Sequence, residues 1–217
     1  MEASKLKEIL DLHKKWMAGE KGGVRADLSE ADLQRANLRE ADLQGADLQR
    51  ANLRGANLRG ANLRGASLRG ADLQVADMRE ADMQGANLQD ANLRDVDLGG
   101  ANLQRADLRW VDLRGAHLQR ADLREANLWA ANLRAANLQG ADLRGANIDY
   151  SCLPLWCGSF GAVMDIEQKK QILIHVLKLS GEELPAEIVS QLTDFCLDAK
   201  LLGRHNIKLG GNHGTDK

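Results

Sequence analysis

The chain has 217 residues, with 29 Lys and Arg against 31 Asp and Glu for a formal net charge of −2, and only 3% of its residues are aromatic. That balance excludes a strongly basic nucleic-acid binder and a strongly acidic polyanion, and so low an aromatic content is unusual for an ordinary globular core of this length. Three cysteines with no secretion signal exclude a disulfide-dense secreted scaffold and point to free thiols in a reducing cytoplasm.

Residues 1–25 read as an amphipathic helix and a linker. Leu6, Ile9, Leu10, His13, Trp16 and Met17 recur at helical spacing, with Lys5, Lys7, Glu8, Lys14 and Lys15 mainly on other faces. Gly19, Gly22 and Gly23 then stop the helix. It is short and mixed in charge, so a lid over the next segment of the chain is expected rather than a membrane-surface helix. No membrane partner is expected.

Residues 26–150 form twenty-five consecutive five-residue units without an insertion. Alanine opens each unit from Ala26 to Ala146, except at Val96 and Val111; the third residue is leucine, except at Met78, Met83 and Ile148. Asp or Asn stands between them, with Ser67 and His117 as exceptions. In an α-helix, leucines five apart are turned by about 140° and cannot form one stripe. In a flat strand, a step of five throws each leucine to the opposite face. The chain must therefore turn once per unit, with Ala and Leu pointing inward and the other three residues outward. Four units close a square coil, and successive coils pair as parallel strands.

Units such as Ala51-Asn52-Leu53-Arg54-Gly55 and Ala56-Asn57-Leu58-Arg59-Gly60 resemble the A(D/N)LXX signature of pentapeptide repeat proteins. The resemblance implies an all-β solenoid, a right-handed quadrilateral parallel β-helix of about six coils. Apolar core and strand edges at its two ends require caps.

Residues 151–203 are expected to form the C-terminal cap with two helices, and 204–217 a tail. Ser151 to Gly158 reads as an apolar turn sealing the last coil. The helices carry Leu173, Val176 and Leu177, then Ile188, Leu192 and Phe195; with Leu155 and Trp156 these are the cap residues or a homodimer contact.

Sites of chemistry are few, and neither an enzyme nor a cofactor is expected. Cys152, Cys157 and Cys196 with His175 or His205 lack the paired spacing of a structural zinc site, and buried thiols are the plainer reading. His117 is an outward-facing substitution, and the Asp/Asn column is explained by turn chemistry rather than cation binding. Residues twenty apart should stack, so Trp110, Ala130 and Tyr150 share a column, with Trp129 in the next. This predicts an interaction patch of Trp110, Trp129 and Tyr150 for a protein partner not identified by the sequence. Some members of the resembled family mimic DNA and inhibit or protect DNA gyrase, which is the alternative function. The repeat carries sixteen Arg against nineteen Asp and Glu, including Arg54, Arg59, Arg64 and Arg69, whereas a mimic of a duplex with about one charge per 1.7 Å needs a continuous acidic face. A scaffold is the favoured reading and direct nucleic-acid binding is not expected.

Overall fold

The computed structural model describes residues 1–149, 151, 152, 162 and 164. The chain divides into two units, Met1–Asp165 and Ile166–Lys217, and the described residues all belong to the first. The two predicted C-terminal helices, and with them Leu155, Trp156, Leu173, Val176, Leu177, Ile188, Leu192 and Phe195, lie outside the described residues.

The repeat turns once per unit because each unit closes on itself. The N–H of the alanine opening one unit donates to the leucine carbonyl of the unit before, as in Ala56 to Leu53 at 2.9 Å. The fifth residue, third of the four in this turn, has a positive φ at every described unit, from Glu30 at 55° to Gly145 at 73°. A positive φ there is the signature of a type II turn. Between turns, each side is short enough that a single Asp, Asn, Ser, His or Cys makes the bridge to the next coil.

Those bridges set the register. Asp27 pairs in parallel with Asp47, Asp32 with Asn52, and the series continues at a spacing of twenty to Asn132 with Cys152. Four units per turn is thus the observed geometry. Each side contributes three hydrogen bonds to its neighbour: Leu53 N–H to the Asp72 carbonyl at 2.7 Å, Asp72 N–H to the Ala51 carbonyl at 2.9 Å, and Gly55 N–H to the Gln74 carbonyl at 3.0 Å. The Asp or Asn side chain also acts locally, its Oδ1 accepting the N–H two residues on, as in Asn57 to Arg59 at 3.1 Å. His117 cannot supply that acceptor at the same place, yet it keeps both bridges, to Asp97 and Asn137, and is exposed as expected.

Alanine and leucine fill the interior. The third-position residues from Leu28 to Ile148 are buried, as are the four larger substitutions Met78, Met83, Val96 and Val111. The two valines crowd the corner: their turn hydrogen bonds lengthen to 3.3 Å, the longest of the series among the described residues.

Two corrections fall at the far end. The ladder does not stop at 150, because Ser151 and Cys152 occupy the alanine and bridge positions of a further unit. Ser151 is buried and its Oγ donates to the Ile148 carbonyl at 2.6 Å, while Cys152 bridges to Asn132 and its thiol is free and exposed. A small hydroxyl that returns its hydrogen bond to the turn can replace alanine, and the bridge position faces outward whatever residue stands there. Ser151–Cys152 is therefore ladder rather than sealing turn, and Cys152 is not a buried thiol.

At the near end, helix α1 spans Ala3–Met17. It closes with a Schellman motif, Gly19 N–H to the Trp16 carbonyl at 3.0 Å and Glu20 N–H to the Lys15 carbonyl at 2.9 Å, with Gly19 at φ 69°. Leu6, Ile9, Leu10 and Met17 are half-buried, but Trp16 is 41% exposed. The residue that α1 buries completely is His13. Trp16 instead stacks on His13 at 5.3 Å and reaches over Gly45. Within the predicted face, the cap thus rests on the polar ring of His13 rather than on Trp16. Coil one remains partly open, for Ala31, Ala36 and Ala41 are half-buried where Ala51, Ala56 and Ala61 are fully covered.

Val75 is a β-branched residue at φ 54° and 55% exposed, so it bears left-handed strain while more than half of it stays in solvent. Val75→Gly is expected to raise stability by about 1 kcal/mol in chemical denaturation. Gly115→Val is expected to lower it by about 1–2 kcal/mol, because φ is 69° and the Asp95 carboxylate would also have to move aside. At Gly23 a Cβ would collide with the backbone of Lys15 and Trp16. Gly23→Ala should release α1 while leaving the coils folded, read as protease cleavage confined to the first 25 residues.

Candidate interaction surface

Three side chains make one cluster on the side formed by the units opening at Ala106 and Ala126. Trp110 is the fifth residue of its unit, at φ 55°, and is 45% exposed. Trp129 is the fourth residue of the unit one coil on, and the two backbones meet where Trp110 N–H donates to the Trp129 carbonyl at 3.1 Å. This is the ordinary ladder contact between a fifth residue and the fourth residue nineteen positions later, so the repeat itself brings the indoles together. Their rings meet edge to face, 5.0 Å between centroids and 87° between planes, a geometry worth about 1 kcal/mol beyond area burial. Arg109 places its guanidinium 5.6 Å from the Trp110 ring centroid, within reach of the ring's negative face.

Arg109 is itself held. Its Nε and Nη2 donate to Asp107 Oδ1 and Oδ2 at 2.8 and 2.6 Å. The same two-residue chelate recurs at Asp77–Arg79, Asp112–Arg114, Asp122–Arg124 and Asp142–Arg144. These are the units with Asp second and Arg fourth; where Asn stands second, the arginine pairs with the glutamate beside it, as Arg39 with Glu40, reaches another coil, or forms no ion pair among the described residues. Arg54 and Arg64 meet Asp72 and Asp82, and Arg59 meets Glu80. The pairing is readable from the Asp-x-Arg spacing, a signal that total charge alone conceals. In all five chelates the arginine hydrogen bond holds the aspartate below its ordinary range and raises the guanidinium.

Of the predicted patch, Trp110 and Trp129 are brought together, while Tyr150 lies outside the described residues. Among the described residues, no group of three His, Cys, Asp or Glu is placed to hold a metal ion, and Cys157, His175, Cys196 and His205 lie outside them. No helix among the described residues is long and apolar enough to cross a membrane.

A family model described as pentapeptide repeats matches this chain over residues 24–60, 56–95, 91–129 and 130–153, which is more than half of its length. The chain belongs to the pentapeptide repeat family. With the twenty-residue ladder, that makes its fold a right-handed quadrilateral β-helix. Similar solved structures are themselves pentapeptide repeat proteins. One is HetL from the cyanobacterium Nostoc sp. strain PCC 7120, described as involved in heterocyst differentiation regulation, at 42% identity over 60% of this chain and 69% of that one, with a TM-score of 0.31. Another is alr5209 from Nostoc PCC 7120, at 30% identity over 71% and 93%, TM-score 0.22. A third is QnrB1, a plasmid-mediated fluoroquinolone resistance protein, at 17% identity over 73% and 94%, TM-score 0.37. No match is found among the curated proteins. The match through residue 153 agrees with the ladder's passage beyond residue 150.

An aspartate whose folded-state pKa is depressed contributes stability above its unfolded value, and that contribution is lost as pH falls through the folded value. The stability that these five pairs contribute should therefore be present in full above the ordinary aspartate value of 3.8 and be lost as pH falls below it. The combined Asp77→Asn, Asp107→Asn, Asp112→Asn, Asp122→Asn and Asp142→Asn variant should show a shallower acid decline in denaturant midpoints measured from pH 6 to pH 2.

Proposed function

We propose that this pentapeptide repeat protein is a non-enzymatic scaffold of the cytoplasm that binds a protein partner through the side carrying Trp110 and Trp129. One observation carries the reading: a tryptophan 45% exposed, held at a left-handed corner that disfavours it and braced by a second indole and a chelated arginine. Exposed tryptophan beside arginine is the composition of binding hot spots, and a rigid ladder presents it without ordering cost. The other described positions of the fifth-residue column on this side are Glu30, Arg50, Gly70, Asp90 and Ala130, so the indoles mark one end of that side.

The ion-pair pattern favours this reading over DNA mimicry. A mimic concentrates unpaired carboxylates along one face, whereas here the aspartates of five units are chelated by arginines of the same units. The surface is close to neutral on a local scale, which also removes the electrostatic basis for binding nucleic acid directly.

Affinity capture from extract of the native host, with wild-type protein as bait, should retain a partner that Trp110→Ala and Trp129→Ala each lose by tenfold or more. A supercoiling assay with purified gyrase should stay flat as the protein is titrated. Retention of every partner by both variants would remove the patch; inhibition at modest excess over gyrase would replace the scaffold reading with the topoisomerase one.

A further inference from the structure

The contact between α1 and coil one has a feature that simple end-capping does not need. An apolar side chain would cover the leucines beneath, yet the fully buried residue of α1 is His13. Its Nδ1 accepts the backbone N–H of Ala26 at 3.0 Å. Ala26 opens the first unit, and its equivalents in later coils give their N–H to the turn before them; Ala26 has no turn before it. The histidine thus supplies the acceptor that ends the repeat. An imidazole that accepts at Nδ1 is neutral and carries its proton on Nε2. That Nε2 is buried and has no partner in hydrogen-bond geometry among the described residues, although the Gln44 carbonyl is near enough to favour a proton on the ring.

We propose that His13 is a proton-sensitive latch, and that its protonation releases α1 from coil one and opens the near end of the solenoid. Protonation puts a hydrogen on Nδ1 and sets it against the Ala26 N–H, two donors 3.0 Å apart, so the bond cannot survive. The charged ring would also be buried, which is costly without a partner. Asp42 in coil one favours the cation, Arg25 in the linker opposes it, and Trp16 on α1 covers one face of the ring. Burial outweighs Asp42, so the folded-state pKa lies below 6.5. The closed lid is therefore most stable above pH 6.5 and weakens as pH falls towards the folded-state value. Other ties hold this end of the chain: the Met1 ammonium donates to the Asp32 carbonyl at 2.6 Å, Val24 N–H to the Leu12 carbonyl at 3.1 Å, and Arg25 Nη1 to the Gly45 carbonyl at 3.1 Å. The coils have no buried histidine among the described residues, so the response is confined to the lid.

The test is amide hydrogen exchange on the full chain between pH 7.5 and pH 5.0, corrected for the intrinsic pH dependence of exchange. Protection of α1 and of the Ala26 amide should fall by about tenfold at the lower pH, while the Leu53 and Leu58 amides stay unchanged. His13→Gln, which retains an acceptor and does not titrate, should remove the dependence. Asp42→Asn keeps the Oδ1 acceptor for Gln44 and Asn62 and should move the wild-type midpoint to lower pH. Equal lid protection at both pH values in wild type, a pH dependence that persists in His13→Gln, or a midpoint unmoved by Asp42→Asn would each overturn the latch. If His13→Gln does not close its lid at either pH, the Asp42→Asn midpoint decides.

Discussion

Everything in the described structure hangs on the hydrogen bond that each leucine N–H gives to the coil above, at 2.7–2.9 Å from Leu28 to Leu133. It holds only if the chain advances by one coil every twenty residues without slippage. That requirement explains the absence of insertions, the small first residue and the left-handed fifth residue. It also explains why polar side chains are so constrained for surface residues. An Asp or Asn placed at the bridge can reach its own turn, and an arginine two residues on can reach that same carboxylate. The ladder therefore organises the surface as strictly as it organises the interior.

The regularity has consequences for energetics. A stack of this kind gains from each interface with a neighbour, so strain at one corner is tolerated by the rungs around it. Among the described residues, fourteen corners carry a residue other than glycine at positive φ, each at a cost of order 1 kcal/mol. Trp110 is one of these. A left-handed tryptophan that is 45% exposed is a poor choice for stability alone, which is why the indole pair stands out among fourth and fifth positions that are mostly charged residues, glutamine and glycine.

The sequence was most legible where the period speaks and least legible where it breaks. Turn, register, inward Ala and Leu, and the Trp110–Trp129 meeting all follow from counting by five and twenty. The extra unit at Ser151–Cys152 was harder to read because serine and cysteine resemble neither alanine nor aspartate in composition, though they fit those positions in size and exposure. Helix α1 was legible as a helix from its spacing, but periodicity could not distinguish the buried ring from the exposed one. His13 is buried because the first unit lacks a turn acceptor, a need visible only once the hydrogen bonds of the later units are known.

The twenty-residue register underlies both the interior and the surface, and scalar coupling across hydrogen bonds in solution NMR reads it. Coupling is expected from the Leu53 amide nitrogen to the Asp72 carbonyl carbon, and from the Asp72 nitrogen to the Ala51 carbonyl, with the same offsets repeated in every coil. Coupling between coils at any other offset, or inter-coil offsets that change along the chain, would contradict that register.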